Sequence, residues 1–159
     1  MNSEAVLGVW GYEITSIEHS AGAVRIRARY SGAIACPDCG GEQLRSKGRY
    51  VRTVRHETWG MRHCFLILEA RKWLCRTCGR GFRQQFPGIL KWQRASEAFR
   101  RMIFFRHWDG ISRRRLGQRE GLGSATIERW FQYVLKRLAA ERRSSRCPAA
   151  LGIDEHFFS

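Results

Sequence analysis

The chain has 159 residues, and its 29 Lys and Arg against 14 Asp and Glu give a formal net charge of +15. This imbalance predicts a polyanionic partner, for which double-stranded DNA is the leading candidate, and the length suits one ordinary domain or several small modules. No stretch approaches ~18 apolar residues and the N-terminus lacks the basic and apolar regions of a signal peptide, so we expect a cytoplasmic protein without membrane contact.

The first segment, residues 1–35, is predicted to be a small β unit. Residues 12–17 and 23–30 are rich in β-formers and are separated by a short turn. In the second stretch, apolar residues from Val24 to Tyr30 alternate with arginines, a pattern typical of a half-buried strand.

The second segment, residues 36–82, contains two Cys-x-x-Cys pairs, each followed by glycine. Each pair can supply two thiolates from one tight turn, and four thiolates form the closed tetrahedral site that structural zinc prefers. The alternatives are disulfides or a redox pair, but reduced thiols are the rule in the cytosol. We therefore predict structural Zn2+ held by Cys36, Cys39, Cys75 and Cys78.

The gap between the two pairs exceeds the ~15–20 residues usual for such sites, but strand-like sequence fills it. Residues 50–59 and 62–74 predict a long hairpin around Gly60, which would bring the two turns together. Its second strand is apolar on both faces and is expected to be central. Cys64 is expected in that core as a small hydrophobe, with a role as an alternative ligand kept open. His56 and His63 are not needed as ligands.

Residues 83–94, with a Pro-Gly pair, are interpreted as a linker, after which the periodicity becomes helical. Residues 95–107, 112–119 and 124–143 predict three helices within a domain of residues 95–146. In the first of them, the stripe of apolar residues is expected to include Phe105. Ser112 and Ser124 are suitable N-caps for the second and third.

The last two helices predict a helix-turn-helix, because a short glycine-containing turn at residues 121–123 separates them. Gly117 would let the helices approach closely, and Leu122 would plug the turn. A generic three-helix bundle would show similar apolar stripes, but the charge favours DNA binding. The residues expected to contact DNA lie near the N-termini of the two helices, and they are Arg113, Arg114, Arg115, Ser124, Ala125, Thr126, Arg129 and Gln132.

The final segment, residues 147–159, contains a short apolar run ending in Asp154-Glu155. The ordered set of cysteine pairs, the linker, the Ala125-Thr-Ile-Glu-Arg-Trp130 helix and this Leu-Gly-Ile-Asp-Glu run resembles the ISL-three family of insertion-sequence transposases. That resemblance implies DNA transposition and recombination by a DDE-type, RNase H-like domain that binds Mg2+ in its full-length form. Asp154 matches the family's first catalytic Asp. Because the sequence ends soon afterwards, we expect only a stub of that domain and no catalysis.

The resulting expectation is a modular α+β chain: β unit, four-cysteine zinc ribbon, linker, helix-turn-helix and the first strand of a truncated RNase H-like domain. Its expected function is to recognise the terminal inverted repeats of a mobile element, with a homodimer on DNA as one arrangement. The alternative is a zinc-ribbon and helix-turn-helix transcriptional regulator. A product that inhibits intact transposase by occupying its sites is compatible with the first interpretation.

Overall fold

The computed structural model describes Gly8 and residues 11–142, with Arg142 through its backbone only. The described part is α+β: a β-sheet forms its N-terminal part, and three helices follow. Of these helices, none combines the length and apolarity needed to cross a bilayer. In chain order the elements are β1 (Tyr12–His19), β2 (Ala23–Tyr30), β3 (Leu44–Trp59), β4 (Arg62–Cys75), β5 (Gly81–Arg83), α1 (Glu97–Trp108), α2 (Arg113–Glu120) and α3 (Ser124–Arg142).

The five strands form one sheet in the order β1-β2-β4-β3, with β5 paired to β4. β1 and β2 form an antiparallel hairpin, as do β3 and β4. The second strands of the two hairpins lie side by side in parallel, with Val24 opposite Cys64 and Ala28 opposite Leu68. Residues 1–35 and 36–82, predicted as separate units, are joined by this parallel ladder into a single sheet.

The sheet buries one face, as the alternation in β2 predicts. Val24, Ile26 and Ala28 are buried, and the arginines between them are exposed. β4 is central, and its buried row includes Leu66 and Cys64. Burial raises the pKa of the Cys64 thiol to about 11, so this thiol stays protonated at neutral pH and behaves as an apolar side chain.

Residues 83–94 pack against this sheet rather than forming the open linker that the Pro-Gly pair suggests. Phe86 and Ile89 are buried in the core of the sheet, and the amide of Ile89 donates to the carbonyl of Phe86 at 3.1 Å. Pro87 and Gly88 occupy the turn between them, and Gly88 has a φ of 72°. The Tyr12 hydroxyl donates to the Pro87 carbonyl at 2.8 Å. The segment thus covers the apolar face of the sheet, because exposing two such large side chains would be unfavourable.

The three helices share a second core made of Ala95, Phe99, Ile103, Leu116 and Ile127. Two of the helices begin after serine N-caps: the Ser96 hydroxyl accepts from the Phe99 amide at 3.1 Å, and the Ser112 hydroxyl accepts from the Arg115 amide at 3.3 Å. These contacts satisfy amides that the first helical turn leaves unpaired.

Two details of the helices differ from the sequence-based expectation. Ser124 is the first residue of α3, and the carbonyl of Gly123 accepts the first helical bond from the Ile127 amide at 3.2 Å. Gly123 therefore occupies the cap position expected for Ser124. In α1, Phe104 is buried whereas Phe105 is 44% exposed, because Ile103 and Phe104 form the buried side of the helix.

The helices are fixed to the sheet by a buried ion-pair cluster around Glu120, at the end of α2. The Glu120 side chain is 0% exposed, and its two oxygens accept from Arg55 at 2.9 Å and from Arg106 at 2.7 Å. The Arg55 guanidinium also lies over the rings of Phe65 and Phe99, 5.1 and 5.0 Å from their centroids. One carboxylate thus ties β3 to α1 and α2, and the strand and both helices hold each other in place.

Replacing Glu120 with Ala should lower the free energy of unfolding by about 3 kcal/mol, because two largely buried guanidinium groups would lose their counterion. Urea unfolding followed by circular dichroism measures this change. The matched control is Glu128→Ala, which removes an exposed pair with Arg113 and should cost far less, since solvent screens exposed ion pairs. Equal losses in the two variants would contradict the role assigned to Glu120.

Candidate metal centre and nucleic-acid interface

The four cysteines of the two Cys-x-x-Cys pairs meet at one end of the β3-β4 hairpin. Cys36 and Cys39 lie in the turn before β3, Cys75 ends β4, and Cys78 follows it. Because Leu44 at the start of β3 pairs with Cys75, the long ladder closes the sequence gap and brings the turns together. All four sulfur atoms lie within 4.8 Å of one another.

Both cysteine turns have the same backbone arrangement. The amide of Gly40 donates to the Cys36 carbonyl at 2.9 Å, and the amide of Gly79 donates to the Cys75 carbonyl at 2.9 Å. Gly40 has a φ of 71° and Gly79 a φ of 75°, a left-handed conformation that glycine adopts without steric cost. The glycine after each pair therefore lets the chain bend back and aim both sulfurs at one point.

The sulfur–sulfur distances match a tetrahedral thiolate site. Cys36 and Cys78 are separated by 3.7 Å, and Cys39 and Cys75 by 3.6 Å. Four sulfurs at the usual Zn–S distance of ~2.3 Å would stand about 3.8 Å apart, whereas a disulfide requires ~2.05 Å. The five described cysteines are all free thiols. The donor set therefore fits a structural zinc ion and not a pair of disulfides.

The electrostatics of the cluster also call for a cation. The Cys78 amide, followed by the Thr77 amide, lowers the pKa of Cys75 to about 6, so this sulfur ionises readily. For Cys39 the Gly41 amide favours the thiolate, but the neighbouring thiols and burial outweigh it and raise its pKa to about 12. Ionising a second thiol beside the Cys75 thiolate is thus unfavourable in the absence of a cation. A bound dication would stabilise all four cysteines as thiolates.

One known family matches this part of the chain. The family model for the zinc-finger of transposase IS204/IS1001/IS1096/IS1165 matches residues 32–78, which include both cysteine pairs and the β3-β4 hairpin. No curated protein and no solved structure matches the chain. The match supports a transposase zinc ribbon, and together with the sulfur cluster it supports structural zinc.

The turn between α2 and α3 depends on a close backbone approach at Gly117. The Leu122 amide donates to the Gly117 carbonyl at 3.0 Å, and a Cβ built on Gly117 would lie 2.6 Å from the Leu122 carbonyl oxygen. Gly121 ends α2 with a φ of 67°. Leu122 is partly buried and packs against the helical core. The two helices can therefore turn tightly only because residue 117 has no side chain.

The residues predicted to contact DNA lie at the N-terminal ends of α2 and α3, and a salt bridge joins these ends. Arg113 donates to Glu128 at 2.6 Å, and Gln132 donates to the same carboxylate at 3.0 Å. The hydrogen bond from Gln132, followed by the charge of Arg113, lowers the pKa of Glu128. Glu128 is therefore ionised at neutral pH, and the Arg113 guanidinium neutralises its charge. Arg129 donates to Thr126 at 3.2 Å. The exposed members of the predicted set are Arg113, Arg114, Arg115, Ser124, Ala125, Arg129 and Gln132, while Thr126 is partly buried.

The remaining candidate residues have other positions. His56 is buried and pairs with the Ser96 hydroxyl at 2.9 Å, and His63 contacts Arg55, so both lie among the sheet–helix contacts. Asp154, the predicted catalytic carboxylate, lies outside the described residues. No local signal in the sequence distinguishes Glu120, since an acidic residue in the arginine-rich α2 resembles an exposed charge.

Zinc should be present at one ion per chain and should be needed for the ribbon to fold. Changing Cys36 and Cys75 together to Ser should abolish metal retention, because each turn would lose a ligand. Elemental analysis of protein purified without chelator measures the stoichiometry. Cys64→Ala is the control and should retain zinc, since that thiol lies in the sheet core. A metal content that is near zero in the unaltered protein, or unchanged in the double variant, would refute the site.

Replacing Gly117 with Ala should destabilise the chain by about 1 kcal/mol, although alanine favours helix by a similar amount. The reason is the clash with the Leu122 carbonyl, which forces a backbone shift costing about 1–3 kcal/mol. Gly22→Ala is the control, since Gly22 has no positive φ and nothing lies within 4 Å of its added Cβ. Urea unfolding compares the two, and a Gly117→Ala protein of unchanged stability would contradict the close approach.

Proposed function

We propose that this chain is the DNA-binding N-terminal portion of an insertion-sequence transposase, which recognises the terminal inverted repeats of its element. The observation that carries the proposal is the match of residues 32–78 to a transposase zinc finger. It favours a transposase over the regulator of the alternative interpretation. The net charge of +15 supplies the attraction to DNA.

In this proposal the helix-turn-helix comprises α2 and α3, and the N-terminal part of α3 enters the major groove. Arg129 and Gln132 would contact base edges, whereas Arg113, Arg114 and Arg115 would contact phosphates. Glu128 does not oppose the phosphates, because the Arg113 guanidinium already neutralises it. Affinity then comes mainly from the arginines at the start of α2, and selectivity from the side chains of α3.

The zinc ribbon would contribute a second, rigidly attached part of the DNA-binding surface. Its hairpin runs from the sulfur cluster to the Glu120 ion pairs, so ribbon and helices would approach DNA in one fixed relation. Two copies on paired element ends would give a homodimer. Strand cleavage would belong to a catalytic domain in which Asp154 is the first carboxylate, and DNA recognition by residues 95–146 does not require it.

Binding to double-stranded DNA should weaken steeply with salt. If about five to eight phosphates are contacted, log K should fall against log salt with a slope of roughly −4 to −7. Fluorescence anisotropy with duplexes carrying the element's ends measures this slope. Affinity that is indifferent to salt between low and physiological ionic strength would refute the electrostatic account.

Two arginine variants separate selectivity from affinity within that assay. Arg129→Ala should reduce the preference for element ends over unrelated DNA, because it removes a base contact of about 1–3 kcal/mol. Arg114→Ala is the matched control, and it should weaken binding to all sequences about equally. Identical effects of the two variants on both kinds of DNA would show that α3 is not the recognition helix.

A further inference from the structure

The turn at residues 90–93, between the ribbon and the helices, holds a tryptophan in a strained conformation. The Gln93 amide donates to the Leu90 carbonyl at 3.1 Å and closes the turn, with Trp92 at its third position. Trp92 has a φ of 65°, and it is the sole non-glycine residue with positive φ in the described part of the chain. Turns of this kind favour Gly or Asn at that position, since a bulky side chain there is sterically costly.

The turn is held rigidly from the sheet side. The guanidinium of Arg52, on β3, donates to the carbonyl of Leu90 at 3.0 Å and to that of Gln93 at 2.6 Å. The preceding Ile89 is buried in the core of the sheet. The backbone conformation of Trp92 is therefore imposed by its surroundings.

The indole itself gains little from folding, because Trp92 remains 68% exposed. Two cationic groups accompany it: the Arg83 guanidinium lies 5.1 Å from the ring centroid, and the Lys91 ammonium 5.6 Å away. Neither group forms an ion pair within residues 11–142. A strained, exposed aromatic ring beside two unneutralised cations has no evident structural purpose, since glycine would suit the turn better.

We propose that Trp92 stacks on an unpaired DNA base, while Arg83 and Lys91 neutralise the adjacent phosphates. This inference rests on the proposed DNA-binding function and adds a contact outside the helix-turn-helix. Aromatic side chains stack on bases of any sequence, and cations beside them follow the backbone. An unpaired base is the preferred partner because a base inside a duplex already stacks on both of its faces. The chain would thus read a distorted or opened position in its DNA as well as a sequence.

The test compares a fully paired duplex of mixed sequence with the same duplex carrying one bulged adenine, using fluorescence anisotropy. The unaltered chain should bind the bulged duplex more tightly, and Trp92→Gly should remove that preference with a loss of about ten-fold in affinity. The same variant should keep or raise the melting temperature, because glycine relieves the strained backbone. A gain in stability with a loss of binding is the opposite of what a structural role predicts.

Two further variants complete the design. Trp59→Ala is the control, because it removes another partly exposed tryptophan that lies far from Trp92. The Arg83 guanidinium contacts the rings of both Trp92 and Tyr50, so Tyr50 lies near Trp92. Trp59 is nine residues beyond Tyr50 on β3, a strand length of roughly 30 Å. The control variant should leave both affinities unchanged. Arg83→Gln should keep the fold and reduce the salt slope by about 1.

The possible failures are distinguishable. Equal affinities of Trp92→Gly and the unaltered chain for the bulged duplex would overturn the stacking contact and leave the proposed function intact. An equal loss on both duplexes would also overturn it, since the ring would then not discriminate an unpaired base. If the unaltered chain bound neither duplex at any salt concentration, the proposed function would fail together with the inference.

Discussion

The buried carboxylate of Glu120 is the constraint on which the arrangement of this molecule depends. It satisfies two guanidinium groups from different elements, Arg55 on β3 and Arg106 on α1, while belonging to α2 itself. Burying charges is costly, and such clusters contribute less to stability than to a unique arrangement. Here the arrangement fixes how three helices sit on the edge of a sheet. Backbone bonds between Arg55 and the chain entering α1 continue the same connection, through the Ser96 amide at 2.9 Å.

The β3-β4 hairpin is consequently anchored at both ends by different chemistry. At one end four sulfurs lie close enough to share a single ion, and at the other the Glu120 cluster holds the helices. The ladder between them is long, since β3 has 16 residues and β4 has 14. A small ribbon has little core of its own, so a metal at one end and a parallel neighbour along β4 compensate for it. The hairpin therefore fixes the position of the four-cysteine cluster relative to the helices.

Local sequence patterns predict much of this fold, whereas pairings between distant segments could not be predicted from them. The alternation in β2, the glycines of the two cysteine turns and the close approach at Gly117 each follow from the chemistry of adjacent residues. The parallel pairing of β2 with β4 leaves no local signal, because any exposed strand edge could accept it. Residues 83–94 resembled a linker since Pro-Gly indicates a turn, and only the tertiary structure shows Phe86 and Ile89 buried. The strain at Trp92 could not be predicted either, because the identity of this residue does not indicate a positive φ.

The parallel ladder between β2 and β4 also sets an order of events during synthesis. β2 leaves the ribosome well before β4, and at typical elongation rates the delay is on the order of seconds. During that time the first hairpin has no partner along its Ala23–Tyr30 edge, and an isolated two-stranded hairpin is only marginally stable. Over the same interval the first cysteine turn offers only two of the four sulfurs, because the second turn has not yet been synthesised. Nascent chains of this protein therefore expose an unpaired strand and a half-built metal site together, and both are completed when β4 and the turn after it emerge.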